Sequence, residues 1–206
     1  MTTPERPQIY LITPPAVDID VFPETLAQVL DGADIACVRL DLASRNETEV
    51  SRTADTLRAV CHARDVALVI ADHVLLSERL GLDGVHLGDA ARSVRSARKA
   101  LGPDAIVGSF CGTSRHDGMN AGEAGADYVS FGPVGASALN DGARAGFDLF
   151  QWWSEMIEVP VVAEGALTRD DIRTLAPVTD FFGIGQEIWS GEAPLNDLRE
   201  MIDAMG

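Results

Sequence analysis

Ala67-Leu-Val-Ile-Ala-Asp-His-Val-Leu-Leu-Ser-Glu-Arg-Leu-Gly-Leu-Asp-Gly-Val-His-Leu-Gly88 reads as strand, polar loop, helix, turn and strand. The apolar run 68–71 stops at Asp72-His73. Leu75, Leu76, Arg79 and Leu80 then keep helical spacing, and the chain turns at Gly81 and Gly84 into Val85-His86-Leu87. Two adjacent strands joined by a helix run parallel, so the groups that follow them, Asp72, His73 and Asp89, share one rim of a sheet. In parallel sheets that rim is where ligands bind.

The same alternation runs from end to end. Strands are expected over 9–13, 36–40, 67–71, 84–87, 106–109, 128–131, 161–163 and 181–184. Helices are expected between them over 24–30, 47–64, 74–80, 94–101, 115–124, 148–157 and 170–175, with a last one over 195–204. Short apolar strands bounded by turn residues suit a sheet buried on both faces. Eight such units form a (βα)8 TIM barrel, read here as a single α/β domain over 1–206. An open doubly wound sheet shares the pattern, because alternation alone does not prove closure. The segment 132–146, rich in glycine and alanine and without a strong period, reads as a long loop over the mouth, in the role of a lid. The helix 148–158 carries Leu149, Phe150, Trp152, Trp153, Met156 and Ile157, an arc wide enough for packing between barrel helices or for a homo-oligomer contact.

Composition narrows the function. The net charge of −16 repels nucleic acid and anionic membranes, so neither is an expected partner. It repels phosphorylated substrates too, so a phosphate site needs local arginines, backbone amides or a metal. No apolar run approaches the ~20 residues that cross a bilayer, and the amino end has no signal-peptide core. Cys37, Cys61 and Cys111, without Cys-x-x-Cys spacing, suggest free thiols and a cytoplasmic address. Cys111 alone lies at a strand's carboxyl end. Lys99, the chain's single lysine, falls in a helical run, which argues against Schiff-base chemistry from a strand.

The central stretch also resembles the thiamine-phosphate synthase family, in which a strand ending Asn-Asp-Arg or Asn-Asp-Asp leads to Gly-Val-His-Leu-Gly. The counterparts are Ala71-Asp72-His73 and Gly84 to Gly88. The family's order continues with Arg39 ending an early strand, Gly108-Ser109 ending a middle one, and the Gly125-Ala-Asp-Tyr-Val-Ser-Phe-Gly-Pro133 segment. Val159-Pro-Val-Val-Ala163 then precedes a changed Gly-Gly loop. The resemblance implies the barrel. It also implies a reaction in which a pyrimidine diphosphate is coupled to a thiazole phosphate with loss of pyrophosphate, and it makes a small phosphorylated or heterocyclic ligand the expected partner.

By the same resemblance, Arg39, Asp72 and His73 are the candidate catalytic residues, and Asp72 with Asp89 the candidate Mg²⁺ ligands. Ser109, Gly132, Ser137, Glu164, Gly165, Gly183 and Gly185 are the candidate substrate and phosphate contacts. The chain departs from the family at several of these places. The early Gln-x-Arg-x-Lys strand end is Cys37-Val-Arg-Leu-Asp41, and the lysine that ends the later Gly-Pro loop is replaced near Asn140. The Gly-Gln-Glu-Asp segment is Gly88-Asp89-Ala90-Ala91, and the Gly-Gly loop is Ala163-Glu164-Gly165-Ala166. Glu164 sets a carboxylate beside the expected anion site, so either an arginine such as Arg144 or Arg169 neutralises it or the site no longer takes phosphate. Pro133 stands where thiazole tautomerases have a histidine. Weak or absent synthase turnover is the expectation, with two alternatives: a non-catalytic small-molecule binder, or a divergent enzyme using the Asp72, His73 and Glu164 rim. Structural alternatives are a helix cap for Asp72 and a tightly packed turn for His86.

Overall fold

The computed structural model describes residues 6–135 and 142–206. Its strands are β1 (Gln8–Ile12), β2 (Ile35–Leu40), β3 (Ala67–Ala71), β4 (Gly84–Leu87), β5 (Ile106–Phe110), β6 (Tyr128–Phe131), β7 (Val161–Glu164) and β8 (Phe181–Ile184). Each pairs in parallel with the next, and β8 returns to β1 with Gln8 opposite Phe181 and Tyr10 opposite Gly183. That last pairing closes the sheet and decides for the TIM barrel over the open doubly wound sheet.

The outer layer is α1 (Phe22–Gly32), α2 (Glu47–His62), α3 (Val74–Leu80), α4 (Val94–Leu101), α5 (Arg115–Glu123), α6 (Phe147–Met156), α7 (Arg169–Leu175), α8 (Gln186–Trp189) and α9 (Pro194–Asp203). Local chemistry sets their ends. Asn46 caps α2 by accepting from the amides of Thr48 and Glu49. Thr168 and Asp171 form a reciprocal capping box on α7. Gly81, at φ 62°, ends α3 in the left-handed conformation that glycine adopts without strain.

Two cores follow from the strand alternation. Outward residues such as Leu11, Val38, Leu68, Val85, Val107, Val129 and Phe182 pack under the helices. Tyr10, Cys37, Val69, Tyr128 and Val162 form a separate cluster in the barrel interior. Gly108 makes this interior possible, since a Cβ there would stand 2.0 Å from Cζ of Tyr128. On α6, Trp153 packs edge-on against Phe131 and donates its indole N–H to the Val159 carbonyl at 2.7 Å. Trp152 lies under the Arg115 guanidinium, and Met156 stays exposed. No helix among the described residues is long and apolar enough to cross a membrane. Of the lid expected over 132–146, positions 136–141 lie outside the described residues.

Candidate active site

Parallel strands and connecting helices bring Arg39, Asp72, Asp89, Glu164 and Gly183 to the carboxyl-terminal end of one barrel. A cavity of about 180 Å³ opens there between Arg39, Asp41, Ala71, Asp72, His86, Gly88, Phe110 and Glu164. Larger hollows, of about 370 and 420 Å³, lie around Arg6 and Gln8, where strands begin. Barrels of this kind carry their chemistry at the other end, where the smaller cavity gathers Arg39, Asp72, His86 and Glu164.

Arg39 dominates it. The side chain is buried and meets Glu164 with both terminal nitrogens, Nη1 to Oε2 at 2.9 Å and Nη2 to Oε1 at 3.3 Å. Its Nε lies 3.2 Å from the Asp41 carboxylate without a hydrogen bond forming between them. Burial alone would lower the guanidinium pKa, but Glu164, with Tyr10 and Asp41, holds it above its ordinary value. Arg39 is therefore a permanent cation with two carboxylates on it. The sequence-level expectation that Arg144 or Arg169 neutralises Glu164 is corrected here. Arg169 pairs with Glu200 on the outside, and the partner of Glu164 comes from the opposite side of the barrel, from β2 to β7. Glu164 is also the last residue of β7 rather than a loop residue, and Gly183 leaves room for it, since a Cβ there would come within 2.8 Å of Glu164 Cβ.

Asp72 sits at φ 58° and accepts a hydrogen bond from the Gly88 amide at 2.7 Å. It thus ties the β3 loop to the β4 loop and does not cap α3, whose N-cap His73 makes no side-chain capping bond. His73 is exposed and does not line the cavity. Asp89 accepts from the Ser93 hydroxyl at 2.6 Å, and its Oδ1 is buried without a partner among the described residues. Each of these bonds uses one oxygen of its carboxylate. No group of three or more His, Cys, Asp or Glu among the described residues is placed to hold a metal.

Ser109 is fully buried and donates to the Ala90 carbonyl at 2.9 Å, bracing the loop after β4. Gly132 and Gly165 sit where the loops after β6 and β7 lie against each other, with Val134 and Gly135 amides donating to the Glu164 and Gly165 carbonyls. Ala166 keeps φ 53°, a conformation better suited to glycine. Ser137 and Asn140 lie outside the described residues. Cys111 is buried with its thiol pushed up to about 11, chiefly by desolvation, so it stays protonated at neutral pH.

Two features escaped sequence reasoning. Glu187, in the first turn of α8, accepts from the Gly185 amide at 2.7 Å and the Leu167 amide at 3.0 Å. Its carboxylate therefore fills amides that loops 7 and 8 of such barrels often turn toward a phosphate. An acid two residues after Gly183-x-Gly185 is the signal that would have found it. Tyr10 and Tyr128, with hydroxyl oxygens 2.6 Å apart, and His86, whose Nδ1 is 2.9 Å from the Tyr128 oxygen, form the other overlooked group.

A closed parallel barrel with its buried ion pair and titratable groups at one mouth defines a (βα)8 protein whose candidate site is that mouth. A family model described as "Thiamine monophosphate synthase" matches residues 9–180. The thiamine-phosphate synthase of Rhodospirillum centenum is 42% identical over 190 residues, covering 90% of this chain and 91% of that protein. The one from Erythrobacter litoralis is 39% identical over 194 residues, covering 90% and 89%. A solved thiamine phosphate pyrophosphorylase from Pyrococcus furiosus superposes with a TM-score of 0.81 at 22% identity, over 96% of each chain, which speaks to the fold. The chain belongs to the thiamine-phosphate synthase family.

Proposed function

We propose that the mouth takes the heterocyclic phosphates of thiamine biosynthesis, and that coupling of a pyrimidine diphosphate to a thiazole phosphate is slow or absent. The observation that carries this reading is the pairing of Arg39 with Glu164 and Asp41. Departing pyrophosphate needs positive charge placed to meet it. The one cation lining this cavity among the described residues already has carboxylates on two sides, and Asp41 occupies the place of a family lysine. Glu187 adds a third obstacle, because an incoming phosphate must displace its carboxylate from the Gly185 and Leu167 amides.

A charge-assisted hydrogen bond contributes about 1.5–3 kcal/mol. Losing two from the departing group therefore lowers the rate by a factor of roughly 10² to 10⁴. The test is an assay with both precursors and Mg²⁺, run beside the Rhodospirillum centenum relative. Thiamine phosphate formation within tenfold of that relative overturns the reading. The same pairing favours a second reading, a barrel that binds a heterocycle without transforming it. Tight binding of either precursor without turnover is its mark. An acid–base enzyme built on Asp72, His73 and Glu164 has less support, because Glu164 is engaged by Arg39 and His73 stands outside the cavity.

A further inference from the structure

We infer that Tyr10 and Tyr128 fix His86 as a hydrogen-bond donor at the mouth cavity, where it selects ligands that offer an acceptor atom, a ring nitrogen or a phosphoryl oxygen. This rests on reading the mouth as a ligand site, not on synthase turnover.

The three side chains form a short chain inside the barrel. Tyr10 and Tyr128 share a hydrogen bond of 2.6 Å, and Tyr128 reaches His86 Nδ1 at 2.9 Å. All three are buried, at 2%, 8% and 4% exposure, so water does not complete their bonding. Each phenol has one hydrogen to give. If Tyr10 donates to Tyr128 and Tyr128 donates to Nδ1, both phenol hydrogens find acceptors. In every arrangement with the hydrogen on Nδ1, one phenol hydrogen is left without an acceptor among the described residues. Hydrogen on Nε2 also leaves one donor unanswered, but that donor belongs to a residue walling the cavity. Hydrogen on Nδ1 instead strands a phenol inside the barrel and leaves Nε2 an unanswered acceptor as well, two buried groups instead of one. The first arrangement therefore holds, and the imidazole hydrogen is on Nε2.

A doubly protonated ring is disfavoured by burial and, after it, by the neighbouring Arg39 charge. Nε2 is the polar atom of His86 that has no partner among the described residues, and His86 is a wall of the cavity. Arg39, on the same cavity, is already answered: its Nε lies 3.2 Å from the Asp41 carboxylate and its terminal nitrogens meet Glu164. An unanswered donor on a small cavity calls for an acceptor from outside. A ligand group that is itself a donor would meet like polarity and be rejected. Tyr10 and Tyr128 act through His86 and are positioning residues.

Nitrogen-15 spectra of the full chain with labelled histidine read the tautomer directly at pH 7.5, with the His86 resonances assigned by their proximity to Tyr128. The wild type and Tyr10→Phe should both show hydrogen on Nε2, because Tyr128 still donates in the absence of the Tyr10 hydroxyl. Tyr128→Phe should lose the single-tautomer pattern while keeping its circular dichroism. Titration with 4-aminopyrimidine in one arm and inorganic pyrophosphate in the other should move the Nε2 proton, and the arm that moves it identifies the acceptor. Tyr128→Phe should weaken that ligand about tenfold.

Hydrogen on Nδ1 in the wild type, or a switch to Nδ1 in Tyr10→Phe, overturns the assignment even if Tyr128→Phe fails to fold. A proton unmoved by both probes, or unchanged affinity in a folded Tyr128→Phe, overturns the ligand-facing role. Absence of thiamine phosphate in the enzyme assay bears on the proposed function and leaves this inference standing.

Discussion

His86 shows how one buried ring ties the site to the pH response of the fold. Burial first, and then Arg39, hold its pKa well below the ordinary 6.5. In the unfolded chain the ring regains that ordinary value. Between the two values the unfolded state binds more protons, so stability falls as pH drops from about 6.5 toward the folded pKa. Above 6.5 the contribution is complete, and below the folded value the loss levels off. The slope expected from this single group is up to about 1.4 kcal/mol per pH unit. Urea unfolding at pH 7.5, 6.5 and 5.5 should show that decline in the wild type and a flatter profile in His86→Gln. Equal slopes in the two proteins would mean that the ring is not the group responsible. The residue itself was visible in the sequence as part of Gly84 to Gly88. Its proton was not, because the tautomer depends on Tyr10 and Tyr128, which lie 76 and 42 positions away.

At the level of elements, the loops at the carboxyl-terminal rim carry strain that the strands do not. Asp72, Ala90 and Ala166, after β3, β4 and β7, each hold a positive φ between 53° and 58° without being glycine. A left-handed conformation costs an alanine about 1 kcal/mol or more, part of which glycine returns as unfolded-chain entropy. Ala166→Gly should therefore stabilise the protein by roughly 0.5 kcal/mol, read as a higher urea midpoint at unchanged slope. A lower midpoint would show that the Ala166 methyl packs more usefully than its backbone suffers. The sequence announced the strands well for a physical reason: a strand buried on both faces is a short apolar run bounded by turn residues, and β3, β4, β6 and β8 begin and end where such runs do. It was silent on α8, because four residues are too few to display a helical period. That silence hid Glu187, whose importance comes from which amides it covers.

Across the whole molecule, the Arg39–Glu164 pair joins strands on opposite sides of the barrel and residues 125 positions apart. No local pattern encodes such a contact, which is why the sequence suggested Arg144 or Arg169 for Glu164 and an open cation at Arg39. Removing either partner alone leaves a buried charge, at a typical cost of about 3–5 kcal/mol, whereas removing both in favour of apolar groups is often near neutral. Glu164→Leu and Arg39→Met should each destabilise by several kcal/mol, toward the low end for Glu164→Leu because Asp41 remains beside the guanidinium. The double variant should be more stable than either single one. Additive losses in denaturant titrations of the four proteins would refute that coupling. The pair also constrains what this sequence can become. A descendant that loses Glu164 alone to free the arginine carries an unmatched buried cation and is less stable than its parent. Marginal stability makes such an intermediate prone to elimination before any catalytic benefit appears. As long as Arg39 stays buried, the fold itself selects for keeping Glu164, without help from function.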